Sequence, residues 1–376
     1  MNLFIEPVDV WLFRDGRPFS AGLYHRAESL FPPFPTVVQG AVRSKHLAVL
    51  GVDVTDPEAV RREVGTSREF PTGFRVRGPF VGRKTDHEVE LFFPQPADSV
   101  AEPRPASKPN DSGEPPRIVL RALAPREPRA GEWSSIPSHV PMWLVPDGEP
   151  AKQEQELWLS WKELARYLQQ GTAEAVQARC LFVRESRVGI ALSLRTRTVE
   201  EGRLYEAEFV RPAEGVGLYV EVDGFEGWPQ RGVMAVGGES RAAAFQMVHK
   251  IPWELAPNPL PGRFKVYFAT PTYFERGWLP RSWDAFFEGE VKLVAAALAR
   301  FVVGGGFELA APSSMSGSGA GVRAGRERAA RRYVPAGSVY FFEAEPGARL
   351  RPDLVNGAVT DDGAEIGFGQ ILIGRW

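Results

Sequence analysis

The chain has 376 residues, of which 43% are hydrophobic and 24% charged, with a formal net charge of −2. That length supports one large core or two of ordinary size, two being the expectation, and the composition is that of a folded globular protein. A near-neutral chain is not a general polyanion binder, so any nucleic-acid site has to be a local patch.

Residues 2–12 alternate loosely and are rich in Val, Ile, Leu and Phe, which predicts a strand. Thr36 and Gln39 have the spacing of a capping box, with Val37, Ala41, Val42 and Leu47 following at helical intervals, so a helix is expected from position 36. Residues 74–81 and 88–93 read as two strands. Residues 94–117, rich in Pro, Ser, Asp and Glu, bury too little apolar area to offset their ordering entropy and are expected to form a mobile insertion. Residues 157–159 predict a strand. Ser160 then caps a helix with Glu163 at its third position, whose apolar face (Leu164, Ala165, Leu168) ends at Gly171.

Residues 187–210 read as a hairpin with a long tip, and 217–222 and 263–270 as strands. Phe287, Val291, Val294, Leu298 and Phe301 recur at helical spacing, which predicts a long helix over 283–303 closed by Gly304, Gly305 and Gly306. Residues 313–332 are Gly/Ser-rich and then basic. A strand over 338–342, a turn at Asp362-Gly363 and a glycine-bearing segment over 366–376 complete the chain. Strands and helices mix without regular βαβα alternation, which argues for an α+β fold.

The densest chemistry lies in residues 13–43. Phe13-Arg14-Asp15-Gly16-Arg17-Pro18-Phe19 is followed by His25-Arg26-Ala27-Glu28-Ser29, Phe31-Pro32-Pro33-Phe34-Pro35-Thr36 and Gln39-Gly40-Ala41-Val42-Arg43. Fixed cations, close backbone approach and flat aromatic surfaces are what a phosphodiester chain requires. Arg14, Arg17, Arg26 and Arg43 beside a helix N-terminus make a phosphate seat. The same residues also suit a rigid loop whose arginines pair with Asp15 and Glu28.

Gly367, Gly369 and Gly374 flank Phe368 with a spacing that is neither a dinucleotide fingerprint nor a P-loop. They suit either a backbone approached by a ligand, with Phe368 stacking, or a bulge that spares a close neighbour. Arg75, Arg77, Arg83 and Lys84, the 323–332 cluster, and Arg195 with Arg197 are basic stretches whose plainer reading is a solvated face. The chain has 37 Arg against 8 Lys, and where arginines cluster the guanidinium fork favours bidentate phosphate contacts.

The five histidines include no pair with metal-ligand spacing, no nucleophile elbow occurs, and Asp361-Asp362 reads as part of a turn. No metal or cofactor is expected. A single cysteine, Cys180, excludes an intramolecular disulfide and is expected in the core. Glu6 and Asp9 interrupt the first apolar run and no stretch reaches bilayer-spanning length, so a cytoplasmic location without membrane partners is the expectation.

The blocks over 6–19, 25–33 and 39–43 resemble the RAMP superfamily of CRISPR-associated proteins and, more narrowly, the subunit-three family of the type III-B (Cmr) effector. The resemblance continues through Val188-Gly189-Ile190, Gly237-Gly238-Glu239-Ser240-Arg241, Thr270-Pro271, Gly277-Trp278, Val334-Pro335-Ala336-Gly337-Ser338 and Gly367-Phe368-Gly369-Gln370. It implies two ferredoxin-like (RRM-type) domains, taken as 1–205 and 206–376, with antiparallel sheets and a C-terminal glycine-rich loop. It further implies a non-catalytic subunit that holds the 5′ handle of the crRNA. Its partners would be the large palm-domain subunit and a neighbouring RAMP backbone subunit.

The expected RNA-binding residues are Arg14, Arg17, His25, Arg26, Ser29, Gln39, Arg43, Arg195, Arg197, Gly304, Gly305, Gly367, Phe368, Gly369 and Gln370. The RNA-reading aromatic signature of RRM sheets is absent, so sheet-face stacking is not expected. Two alternatives stand beside this reading: a metal-independent endoribonuclease with His25 as general base, and a protein scaffold that touches no RNA.

Overall fold

Strand alternation decides how the layers stack. In β1 (Asn2–Pro7), Leu3 and Ile5 join one core while Phe4 joins another, because successive side chains leave a strand on opposite faces. The structure, a computed structural model, describes residues 1–14, 26–66, 69–85, 88–102, 117–132, 140–144, 156–192, 195–196, 198–253, 257–308, 326–327 and 329–376.

After β1 come β2 (Arg26–Ala27), α1 (Pro35–Leu50), α2 (Pro57–Val64), β3 (Arg75–Lys84), β4 (Val89–Pro94), β5 (Ser99–Ala101) and β6 (Ile118–Ala122). Two short strands, β7 (Pro125–Arg126) and β8 (Trp143–Leu144), precede β9 (Leu157–Ser160), α3 (Trp161–Gln170) and β10 (Thr172–Gln177). The hairpin β11 (Phe182–Leu192) and β12 (Val199–Pro212) leads to β13 (Val216–Asp223), β14 (Arg231–Ala235), β15 (Ala242–Met247) and β16 (Arg263–Phe268). The remaining strands are β17 (Phe287–Glu288), β18 (Val291–Ala297), β19 (Val302–Gly304), β20 (Phe307–Glu308), β21 (Arg326–Glu327), β22 (Arg331–Tyr333), β23 (Val339–Ala344), β24 (Arg349–Leu350) and β25 (Ile371–Arg375). The protein is α+β, with large antiparallel sheets and few helices.

A ten-stranded sheet runs β14-β15-β1-β13-β3-β4-β9-β10-β6-β5, and a four-stranded sheet runs β18-β23-β16-β25. A third sheet, β11-β12-β2, carries the one parallel pairing among the described residues, between β12 and β2. One face of the large sheet (Leu3, Val76, Leu218, Val220) packs on Val38, Val42 and Leu47 of α1. The other (Phe4, Phe80, Leu91, Tyr219) meets α3 and the inner face of the four-stranded sheet (Tyr267, Val339, Phe341, Leu372). The outer face of that smaller sheet, including Phe264, Val266 and Phe342, is covered by the aromatic segment containing Phe274, Phe286 and Phe287. β13 and β15 flank β1, and position 205/206 lies inside β12.

Several expectations need correction. The helix over 283–303 does not form: the segment is a 3₁₀ turn (Trp283–Ala285) followed by β17, β18 and β19. Gly289 sits at φ +88°, outside helical space, and the short apolar run after it is ambiguous in period, so the open edge of β23 captures it. Thr36 is not a cap: α1 starts one residue earlier, with Phe34 at the N-cap and Pro35 in the first turn, where its missing N–H costs nothing. Ser160 does occupy the N-cap of α3 but makes no side-chain capping bond, and Glu163 instead accepts from the Glu174 N–H at 2.8 Å. Residues 94–102 are not a loose insertion, since they hold β5 and the fully buried Asp98, while 103–116 lie outside the described residues. Cys180 is half-buried in a 3₁₀ turn rather than in the core.

Candidate nucleic-acid interface

The N-terminal block lies against the β11–β12 hairpin. Trp11 exchanges backbone hydrogen bonds with Val210 at 2.9 and 2.8 Å, Arg14 bridges Ser29, and the Leu30 N–H donates to Phe13 O at 2.9 Å. Its aromatics are structural: Phe31 packs on Trp11 at 6.0 Å, Phe13 at 6.4 Å and Phe182 at 4.6 Å between ring centroids. Ser29 is buried and committed, because its Oγ donates to Glu208 O at 2.5 Å and accepts from the Phe13 N–H at 3.1 Å. Arg184 Nη1 closes this corner by donating to Ser29 O at 2.6 Å and Glu208 Oε1 at 3.0 Å.

The start of α1 and the C-terminal glycines do converge. The Phe34 ring touches Tyr333 of β22 (5.0 Å) and Phe368 (6.0 Å), and Tyr333 stacks on Phe368 at 5.0 Å and 18°. Gly304 is buried beneath this trio; a Cβ there would come within 2.7 Å of the Tyr333 ring. Gly305 is exposed beside it.

Gly367, at φ +105°, presses on Gly78 O so closely that no side chain fits, and its own carbonyl accepts from Thr270 Oγ1 at 2.8 Å. Gly369, at φ +68°, is similarly tight against Val359 O. These glycines spare a close protein neighbour. Phe368 is 3% and Gln370 1% exposed, so neither side chain is presented to solvent.

A cleft of about 530 Å³ opens next to this junction. It is lined by residues 28–30, by Arg184 and Glu208, and by residues 300–303. Arg300 is exposed, and Phe301 keeps 45% of its surface in solvent with the Arg332 guanidinium 4.8 Å from its ring centroid. The sequence reading assigned Phe301 to the apolar face of a helix and so missed it. An aromatic next to an arginine at the end of an apolar run was the only available signal.

The other expected residues scatter. Arg43 turns inward, donating to Gln39 Oε1 at 3.2 Å and Gly65 O at 3.1 Å over the Phe70 ring, and burial lowers its pKa. Gln39 itself donates to Thr36 O at 3.1 Å. Neither residue faces the cleft. The backbone of Arg26 pairs with Glu206. Arg195 is exposed at the hairpin tip. Arg17, His25 and Arg197 lie outside the described residues.

The basic stretch in β3 is committed internally. Arg75 donates to Phe74 O, Arg77 pairs with Glu221 at 3.2 Å over Trp253, and Arg83 donates to Cys180 O. In the 323–332 cluster, Arg331 is held by Asp362 at 2.5 Å and lies over Tyr273.

The hairpin is anchored by an exposed ion network. Arg211 bridges Asp9 (2.9 Å) and Glu185 (2.7 Å), and Arg187 reaches the same two carboxylates at 3.4 and 2.7 Å. Hydrogen bonds from Arg211, then Arg187, hold the Glu185 carboxyl below its usual range. Among the described residues no cluster of three His, Cys, Asp or Glu side chains has metal-binding geometry, and no helix is long and apolar enough to cross a membrane.

The fold and this junction define an α+β protein in which the start of α1 and the C-terminal glycines meet beside a partly cationic cleft. The chain belongs to the Cas_Cmr3 family of CRISPR-associated proteins, whose family model matches residues 3–376. No curated protein matches it. Among solved structures it is similar to a chain of the cryo-EM structure of the Type III-B Cmr-beta bound to cognate target RNA, with 14% identity and a TM-score of 0.45, covering 99% of this chain and 96% of that one. It is also similar to a chain of that complex with target RNA and AMPPnP, state 1, with 13% identity, a TM-score of 0.44, and coverage of 100% and 99%.

Proposed function

We propose that the protein is a non-catalytic subunit of a type III-B (Cmr) RNA-guided interference complex. It binds and caps the 5′ handle of the crRNA and docks on the large palm-domain subunit and a neighbouring RAMP backbone subunit. In this reading residues 1–205 and 206–376 are the two ferredoxin-like units, which share the ten-stranded sheet, and the turn at Gly367–Gly369 is the family's glycine-rich loop, acting as a support behind the RNA path.

The observation that carries the proposal is the meeting of the N-terminal block, the β19–β22 ribbon and the C-terminal segment at Phe34, Tyr333 and Phe368, beside an open cleft lined by residues 28–30 and 300–303. A strand-binding trough needs cations held by a rigid frame, and Phe34, Tyr333 and Phe368 supply the frame. Arg300 is an exposed cation lining the cleft, and Arg14, Arg17, Arg26 and Arg195 are assigned from the sequence.

The test is photo-crosslinking of the assembled complex with 4-thiouridine placed through the handle. Crosslinks within residues 14–34 or 300–305 are expected. Absence of any crosslink between this chain and the handle would favour a scaffold. Site-specific cleavage of repeat RNA by the purified chain in EDTA, abolished by His25→Ala, would make it an endoribonuclease.

A further inference from the structure

We infer that Phe301, with Arg300 and Arg332, is a seat for one unpaired nucleotide of single-stranded RNA, the base stacked on Phe301 and the phosphate on Arg300. The inference rests on the RNA-holding reading and locates a contact within it that the sequence motif does not include.

Three observations meet at this point. First, the ring lines the cleft and remains 45% exposed, so part of its surface is available to a ligand. Second, Arg332 lies over it at 4.8 Å, the arrangement in which a guanidinium and an aromatic ring jointly present a flat, cationic stacking surface. Third, Arg300 is exposed, and neither it nor Arg332 has an acidic partner among the described residues, unlike Arg184, Arg187, Arg211 and Arg331. Two uncommitted cations beside a bare ring leave the charge and the surface that a nucleotide complements.

The cleft has the right capacity. At about 530 Å³ it falls in the range of small-ligand sites and is large enough for a single nucleotide. The charge distribution sets the orientation. Glu208, which lines the cleft, is neutralised by Arg184 at 3.0 Å, so it does not repel an anion. Arg300 is the exposed cation on the segment that carries Phe301, so the phosphate belongs on the Arg300 side and the base lies on the ring. Gly304 lets the strand that follows Phe301 sit directly on Tyr333, which ties this side of the cleft to the junction.

The experiment compares the wild-type full chain with Phe301→Leu, Phe301→Trp and Arg300→Gln. Each is titrated with fluorescent single-stranded RNA, alone and assembled with its partner subunits. Because Phe301 is solvent-facing, the variants should unfold at the wild-type temperature, which is measured alongside. Phe301→Leu is expected to weaken RNA binding about 5- to 150-fold, the loss of one stacked base, while Phe301→Trp retains affinity. Arg300→Gln should reduce the salt slope by about 0.7.

If wild type binds RNA and Phe301→Leu binds within about two-fold of it, the seat is refuted while the RNA-holding reading stands. If Phe301→Leu leaves RNA affinity intact and blocks assembly, the cleft takes a protein segment and the inference is wrong. If wild type binds no RNA in either form, the broader reading fails and takes the seat with it.

Discussion

Asp98→Ala should destabilise the protein by about 3 kcal/mol, through the ion pair that joins the two large sheets. Lys265 lies on the inner face of β16, its ammonium 2.7 Å from Asp98 Oδ2, with the two side chains 2% and 0% exposed. Tyr167 of α3 donates to the other carboxylate oxygen at 2.8 Å, and its ring lies 4.2 Å from the ammonium. At 2.7 Å and an effective dielectric of about 20, the attraction is about 6 kcal/mol. Desolvating each ion costs several kcal/mol, so the intact pair contributes little net stability.

Removing the carboxylate changes that balance. Lys265 stays buried without its counter-ion and Tyr167 loses its acceptor, a situation that costs about 3–5 kcal/mol; the Tyr167 ring still faces the ammonium, which keeps the loss near the lower end of the range. The triple variant Asp98→Leu, Lys265→Met, Tyr167→Phe leaves no polar group unpaired there and should lie within about 1 kcal/mol of wild type. Urea unfolding of the purified full chain measures both. A loss below about 1 kcal/mol for Asp98→Ala, or a triple variant as damaged as the single one, would refute the reasoning. The consequence reaches the C-terminal glycines, because the chain leaving β16 runs into Thr270, which donates to Gly367 O.

Three further outcomes are expected. Burial, only partly opposed by the Glu63 charge, lowers the His46 pKa, and its Nδ1 accepts from Trp228 Nε1 at 3.1 Å. Stability should therefore be complete above the unfolded value of about 6.5 and fall as pH drops below it, because the unfolded chain then binds the proton more readily; His46→Gln should flatten that slope in pH-dependent urea melts. Gly367→Ala, at φ +105° and against Gly78 O, should cost about 2–3 kcal/mol, whereas Gly40→Ala, inside α1 with nothing within 4 Å, should stabilise by about 0.5–1 kcal/mol in the same melts. Arg43→Ala should lower the unfolding midpoint, with two hydrogen bonds lost at about 1 kcal/mol each, yet leave the salt dependence of RNA binding unchanged.

Much of the fold was legible where one strand's own alternation carried the signal. The hairpin over 187–210, the strands near 74–93 and 217–222, and the α3 boundary at Gly171 all follow from local period and turn residues. The run over 291–297 was misread because Val, Leu and Ala satisfy both periods, and only pairing with β23 selects the strand. In the candidate site, the N-terminal block and the C-terminal glycines were identifiable as special. Their division of labour was not: Ser29, Arg43, Phe368 and Gln370 are spent on the frame, while Phe301 is left open.

The amino-acid sequence by itself determined the α+β class, the inward and outward faces of most strands, and the family, because each depends on residues close together along the chain or on motifs kept in order. Only the tertiary structure decided which arginines and aromatics remain available. Availability is set by what packs against a side chain, and Phe34, Tyr333 and Phe368, or Lys265 and Asp98, become neighbours only when distant segments close on one another.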